Sequence, residues 1–154
     1  MKELPYLPTG KEILYVEPDH EFMLLAKNVA KQGSLDLLHP TGAVLVKNGK
    51  PIGAGANGSV FHTHLGCVRK LLRVPTGKSY FLCGGCSPKN HAEQKAIKEA
   101  QSKKLSPKGA DIYLWGHWWC CESCWQTMIT AGIKNVYLPK GAWEEFGQSR
   151  TKKK

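Results

Sequence analysis

Long apolar runs are missing from this sequence of 154 residues. None approaches the ~18 residues that a membrane-spanning helix needs, so the reading has no membrane segment. The opening stretch, MKELPYLPTGKEILYVEPDH, is mixed in charge, carries three prolines, and lacks the apolar core of a secretory signal. A cytosolic location is the expectation. No internal repeat is visible, which excludes a repeat array. Acidic residues are few, 12 against 22 Lys and Arg, for a net charge of +10. Part of that charge is the terminal RTKKK, read as a solvated basic tail over 148–154. The remainder points to an anionic partner, either a nucleotide phosphate or a nucleic acid. The length suits one domain, 1–154, with a full hydrophobic core, and 42% hydrophobic with 22% charged residues is ordinary for a globular chain.

Cysteine is present six times. Without a secretion signal a reducing compartment is expected, so thiolate metal binding takes precedence over disulfides. The spacing agrees. Cys83 and Cys86 form CGGC, and Cys121 and Cys124 form CESC, and paired C-x-x-C units are typical of zinc.

Residues 1–18 read as an irregular lead-in. A helix follows over HEFMLLAKNVAKQG, with Phe22, Leu25 and Val29 at helical spacing, Asp19 as its cap and Gly33 at its end. AVLVKNGKPIGAGANG reads as a hairpin turning at Asn48-Gly49. Residues 59–90 are a long insertion that needs something to hold it, for which a metal would serve. Then come a helix over HAEQKAIKEAQSKK, a strand over DIYLWGHWW, a helix over ESCWQTMITAGI and a strand over KNVYLPK. Strands alternating with helices late in the chain imply parallel pairing with helices covering the sheet.

In CESC, two cysteines three apart at a helix start can point their sulfurs the same way, and a helix N-terminus favours thiolate. That is half of a tetrahedral zinc site; a pair of buried free cysteines is the plainer alternative. His91, at another helix start, is the candidate for the missing ligand. Its neighbour Glu93 has a plainer reading too, as the third helical residue of a capping box closed by Asn90. Read together, H-x-E before C-x-x-C is the signature of the zinc deaminases.

GAVLVKNGKPIGAGANG, NHAEQKAI and CESCWQTMITAGIKNVYL together resemble the cytidine and deoxycytidylate deaminase family, from about Phe22 to Tyr137. The resemblance implies a three-layer α/β/α fold with a mixed central sheet, a hairpin followed by parallel strands. It implies that His91, Cys121 and Cys124 hold a catalytic zinc and leave a fourth position to water, whose pKa falls toward ~7. Glu93 would take the proton of that water and deliver it to the ring nitrogen and the leaving amine. Ala92 would offer its backbone N–H to the base carbonyl. Asn57, in GANG, resembles the family asparagine that contacts substrate, although Asn-Gly is also a good turn.

One departure from the family pattern stands beside the motif: Cys120 occupies the place where proline is expected. Ligation by Cys120 in place of Cys121 is geometrically open, and the register to MITAGI favours Cys121. Four of the five tryptophans lie between residues 115 and 125. Trp115 reads as core. Trp118 and Trp119, if they alternate along a strand, present at most one ring to substrate, and Trp119 is taken as that one. The chain ends soon after KNVYLPK, so a last strand is absent or the sheet edge is covered by another subunit, in line with the family's habit of assembling homo-oligomers.

A second, structural zinc is expected from Cys67, Cys83 and Cys86, with His64 or alternatively His62 as the fourth ligand. The rival arrangement joins CGGC and CESC into one zinc ribbon, a basic nucleic-acid-binding module that is not an enzyme. The function expected is zinc-dependent hydrolytic deamination of a cytosine nucleotide or nucleoside, deoxycytidylate-like, to its uracil form with release of ammonia. The alternative is a deaminase acting on cytosine or adenine in single-stranded nucleic acid or tRNA. The basic residues Arg69, Lys70 and Arg73 are candidates to meet a phosphate.

Overall fold

Alternation along the central strands sets the architecture. In the computed structural model, which describes residues 4–59, 68–74, 78, 80 and 86–148, five strands form one sheet in the order β1-β5-β4-β2-β3. They are β1 (Leu14–Val16), β2 (Gly42–Lys47), β3 (Lys50–Ala56), β4 (Asp111–Trp115) and β5 (Asn135–Pro139). Ala43 and Leu45 of β2, Ile112 and Leu114 of β4, and Val136 and Leu138 of β5 enter one core cluster. Their neighbours Val44, Val46 and Tyr113 enter another. Both faces are therefore apolar and both must be covered. Helix α1 (Glu21–Gly33) covers one through Met23 and Ala26. Helices α3 (Ala92–Ser102) and α4 (Glu122–Ala131) cover the other through Ala96, Ile97, Cys124 and Met128. A four-residue helix, α2 (Val68–Leu71), lies between β3 and α3. This is the expected three-layer arrangement, with a mixed sheet: β2 pairs antiparallel with β3 and β4, while β4, β5 and β1 run parallel.

The hairpin turns at Asn48 and Gly49, both with positive φ (52° and 74°), as the twist of a two-residue hairpin requires. Helix α4 ends on Gly132 in the left-handed conformation. No helix among the described residues is long and apolar enough to cross a membrane.

Three local expectations change. The stretch read as an irregular lead-in contributes β1, which pairs in parallel with β5 (Leu14 beside Tyr137, Val16 beside Pro139) and forms one edge of the sheet. The cap of α1 is His20, whose Nδ1 accepts from the Phe22 N–H at 3.3 Å, because the helix starts at Glu21 and Asp19 lies one residue too early. The strand over DIYLWGHWW stops at Trp115. There Gly116 takes φ +103° with its backbone against Pro40, so close that a Cβ would lie 2.2 Å from the Pro40 carbonyl oxygen. Only glycine fits such a contact. Trp118 and Trp119 therefore do not alternate across a sheet; both are buried in the same core cluster.

After β5 a single π-helical turn, Trp143–Gly147, brings Phe146 edge-on to Trp115. The tail offers no further strand through residue 148.

Candidate metal and active site

Two helix starts face each other at one end of the sheet. Residue 91 caps α3, and Cys121 caps α4 with its Sγ accepting from the Cys124 N–H at 3.4 Å. A sulfur at a helix N-terminus is stabilised as thiolate by that N–H and by the helix dipole. His91 Nδ1 lies 3.3 Å from Cys124 Sγ and 3.4 Å from Cys121 Sγ. All three ligand atoms fall within 4.8 Å of one another. A tetrahedral zinc with Zn–S ~2.3 Å and Zn–N ~2.1 Å places its ligand atoms about 3.6–3.8 Å apart, so the donor set and its spacing suit that ion with small adjustments.

The surroundings fit the same role. His91 Nε2 lies 3.1 Å from the Cys86 carbonyl oxygen. With Nδ1 given to a metal, Nε2–H donates to that carbonyl and fixes the ring, the usual outer support of a metal-bound histidine. Gln94 Nε2 lies 3.8 Å from Cys124 Sγ, a further weak donor to sulfur. The hydrogen bond shared with Cys124, followed by His91, pulls the Cys121 thiol well below its usual range against the opposing effect of burial. That bond and burial push Cys124 the other way. Burial alone would lower the His91 pKa, but the bond to Cys121 and the charges of Glu93 and Cys121 carry it upward.

Glu93 is the second helical residue of α3, not the third, and its cap is His91 with no side-chain cap bond, so the capping box on Asn90 does not form. The carboxyl is buried at 5% exposure. Burial raises its pKa, and the charge of His91 and a hydrogen bond from Cys120 hold it partly down. Cys120 is thus buried against Glu93, and the thiols that converge on His91 are Cys121 and Cys124. No third cysteine joins that group among the described residues; the four-cysteine ribbon would have required Cys86 there.

A cavity of about 120 Å³ opens beside the triad, lined by His91, Ala92, Glu93, Cys121, Trp119 and Asn57 among others. All the residues expected around the catalytic centre and substrate thus come to one place. Asn57 is heavily engaged by the protein. Its Oδ1 accepts from the Thr41 N–H at 2.8 Å and its Nδ2 donates to the His39 carbonyl at 2.9 Å, which ties the loop after α1 to the end of β3. The second expected zinc site cannot be traced: His62, His64, Cys67 and Cys83 lie outside the described residues, and Cys86 is present through its carbonyl to His91. Lining residues that sequence reasoning missed are Asp36, His39, Thr41, Tyr80 and His117. None stands at a motif spacing that would have marked it.

The fold and this His-Cys-Cys group beside a buried carboxylate define a zinc-binding deaminase domain. The family model for the cytidine and deoxycytidylate deaminase zinc-binding region matches residues 16–140, and the chain belongs to that family. Among solved structures it is similar to the dCMP deaminase of the cyanophage S-TIM5 in apo form, with 24% identity, TM-score 0.51, and 84% of this chain and 89% of that chain covered. The same phage enzyme in complex with dCMP and dUMP gives 21% identity and TM-score 0.51 over 83% and 88% of the two chains. Guanine deaminase from Bacillus subtilis is similar at 22% identity and TM-score 0.49, over 83% of this chain and 70% of that one. No curated protein sequence matches this chain.

Proposed function

We propose that this protein catalyses the hydrolytic deamination of a cytosine nucleotide, deoxycytidylate or a close relative, to its uracil form. The observation that carries the reading is the convergence of the His91, Cys121 and Cys124 ligand atoms beside the buried Glu93 carboxyl, in a chain of the cytidine and deoxycytidylate deaminase family.

His91 Nδ1 and the sulfurs of Cys121 and Cys124 would hold zinc, a Lewis acid that makes hydroxide available near neutral pH. Glu93 takes the proton released by the attacking water. It hands that proton to the ring nitrogen, then takes the second proton from the hydroxyl now bonded to the carbon and passes it to the amine, which departs as ammonia as the carbonyl forms. The buried setting suits this shuttle, since a carboxyl whose pKa is raised toward working pH both accepts and returns a proton readily. Ala92, buried in the first turn of α3 and lining the cavity, would offer its backbone N–H to the base carbonyl. Asn57 holds the loop against the cavity wall, and Trp119, 4% exposed, closes the pocket with an apolar face for the base.

A substrate panel tests this. Cytosine, adenine and guanine derivatives are supplied as bases, nucleosides, mononucleotides and oligonucleotides, and ammonia release is followed. Turnover of a cytosine mononucleotide to its uracil form is the expected result. Turnover of purines with none of cytosine would overturn the reading.

A further inference from the structure

We propose that Tyr80 is a positioning residue for the metal group: its ring fixes the plane of the His91 imidazole, so that Nδ1 already faces the two cysteine sulfurs when an ion arrives. This rests on the zinc reading of His91, Cys121 and Cys124 above and adds to it a residue that no motif marks.

The last torsion of a histidine side chain is soft, so an imidazole needs outside contacts to hold its plane. One contact is the 3.1 Å approach of His91 Nε2 to the Cys86 carbonyl oxygen. A hydrogen bond tolerates a broad range of directions at its acceptor. The ring can therefore still rock about the line from Cγ to Nε2. Nδ1 lies off that line and would swing away from Cys121 and Cys124. Tyr80 supplies the second contact. Its ring meets the imidazole with centroids 5.0 Å apart and planes at 81°, a favourable perpendicular pair. Rocking the imidazole breaks that geometry.

Tyr80 is itself held from behind. The Arg69 guanidinium carbon stands 4.5 Å from the centre of its ring, and Arg69 Nε donates to the Lys78 carbonyl at 2.9 Å. Arg69 is only 8% exposed, and a cation is held more firmly on an aromatic face when water is excluded. Arg69, Tyr80 and Cys86 all belong to the stretch between β3 and α3, so that stretch reaches the metal histidine twice. Tyr80 also lines two cavities. One is the cavity with His91 and Glu93, and the other is a neighbouring space of about 480 Å³ bordered by Tyr6, Trp119 and Cys121. Removing its ring should open the metal group on that second side and speed the loss of a bound ion.

Zinc dissociation constants are measured on the full chain by competition with a chromophoric chelator, and zinc release is timed in excess chelator. Wild type, Tyr80→Phe, Tyr80→Leu and Arg69→Met are compared where each metal-free protein is fully folded by its urea curve. Tyr80→Leu should bind zinc about 10- to 100-fold more weakly and release it faster, the loss typical of an outer support of a metal ligand. Tyr80→Phe keeps the ring and should bind zinc as wild type does. Arg69→Met leaves the ring and removes the group behind it, so it should lose less affinity in the same direction. It takes the place of Tyr80→Leu as the deciding variant if that protein is unfolded without metal. Wild-type zinc affinity in the deciding variant would overturn the proposal. So would a Tyr80→Phe protein as weak as Tyr80→Leu, which would assign the effect to the hydroxyl. A wild-type protein that binds no zinc defeats the metal reading itself, and the proposal with it.

Discussion

At the scale of single residues, Glu93 and Cys120 form a pair that the sequence separates by 27 positions and the fold brings into contact. Glu93→Gln keeps the shape of the side chain and removes its ability to carry a proton. The expected result is a fall in kcat of ~10²–10⁴-fold with zinc content unchanged, read by steady-state kinetics and metal analysis on the same sample. Full activity in this variant would remove Glu93 from the mechanism. Cys120 is 1% exposed and donates its S–H toward that carboxylate, where the family pattern has proline. Cys120→Ala should therefore retain the zinc of the triad, whereas Cys121→Ala and Cys124→Ala should lose it. Loss of that zinc from Cys120→Ala would move the ligand set by one residue.

At the scale of elements, the site depends on how closely α3 lies on the hairpin. Strand β3 presents Gly53 and Gly55 to the helix. A Cβ on Gly55 would stand 2.5 Å from the Ala96 nitrogen and 2.6 Å from the Ala92 carbonyl oxygen, and one on Gly53 would stand 2.5 Å from the Ala96 carbonyl oxygen. These neighbours are backbone atoms and cannot swing aside. Facing them, α3 uses the small residues Ala92, Ala96 and Ala100, so helix and strand meet almost backbone to backbone. Gly55→Ala must push α3 outward and should cost ~1–3 kcal/mol, seen as a lower urea midpoint with an unchanged slope. Because α3 begins at His91 and carries Glu93, kcat should fall in the same variant. An unchanged midpoint would mean that the helix shifts freely. β1 belongs to this scale too. It is three residues long, and its partner strand lies more than a hundred positions downstream. That pairing makes β1 an edge strand of the five-stranded sheet.

For the whole molecule, two conditions should change stability in stated directions. His91, Cys121 and Cys124, the group that could hold a metal, come from the starts of two helices, α3 and α4, so an ion held there would tie the second half of the chain together. Stripping zinc with a strong chelator should lower Tm and abolish turnover, and added zinc should restore both. An unchanged Tm would separate the ion from the fold. The second condition is alkaline pH. The Tyr113 hydroxyl is pushed up to about 12, first by burial and then by Tyr137, Asp111 and Glu21. Its ring is stacked between His20 and Tyr137. The unfolded value is ~10, so the folded state holds this proton more tightly. The resulting stabilisation is complete below pH ~10 and is lost as pH rises through about 12. Urea midpoints across this range should therefore fall less steeply in Tyr113→Phe than in wild type.

Much of this molecule could be read from short-range pattern. The hairpin is marked by Asn48-Gly49, the helices by their apolar spacing, and the metal group by H-x-E and C-x-x-C, because capping, turn geometry and ligand spacing are local matters settled within a few residues. CESC thus already contained the two thiols, Cys121 and Cys124, that converge on His91. What lay beyond reach were contacts whose partners are distant in the chain. Nothing near Ile13-Leu14-Tyr15-Val16, a short apolar run between prolines, indicates that β5 awaits it. The crossing of Pro40 over Gly116 ends β4 early and sends Trp118 and Trp119 into one core, although their spacing suggested opposite faces. The same kind of long-range packing turned Arg69 from one of several loop cations into a buried group beside Tyr80, and set Cys120 against Glu93. Chemistry-bearing residues announce themselves by type and spacing; which of them share a wall of the cavity is decided when the sheet and its helices close, since burial and contact are properties of the assembled whole.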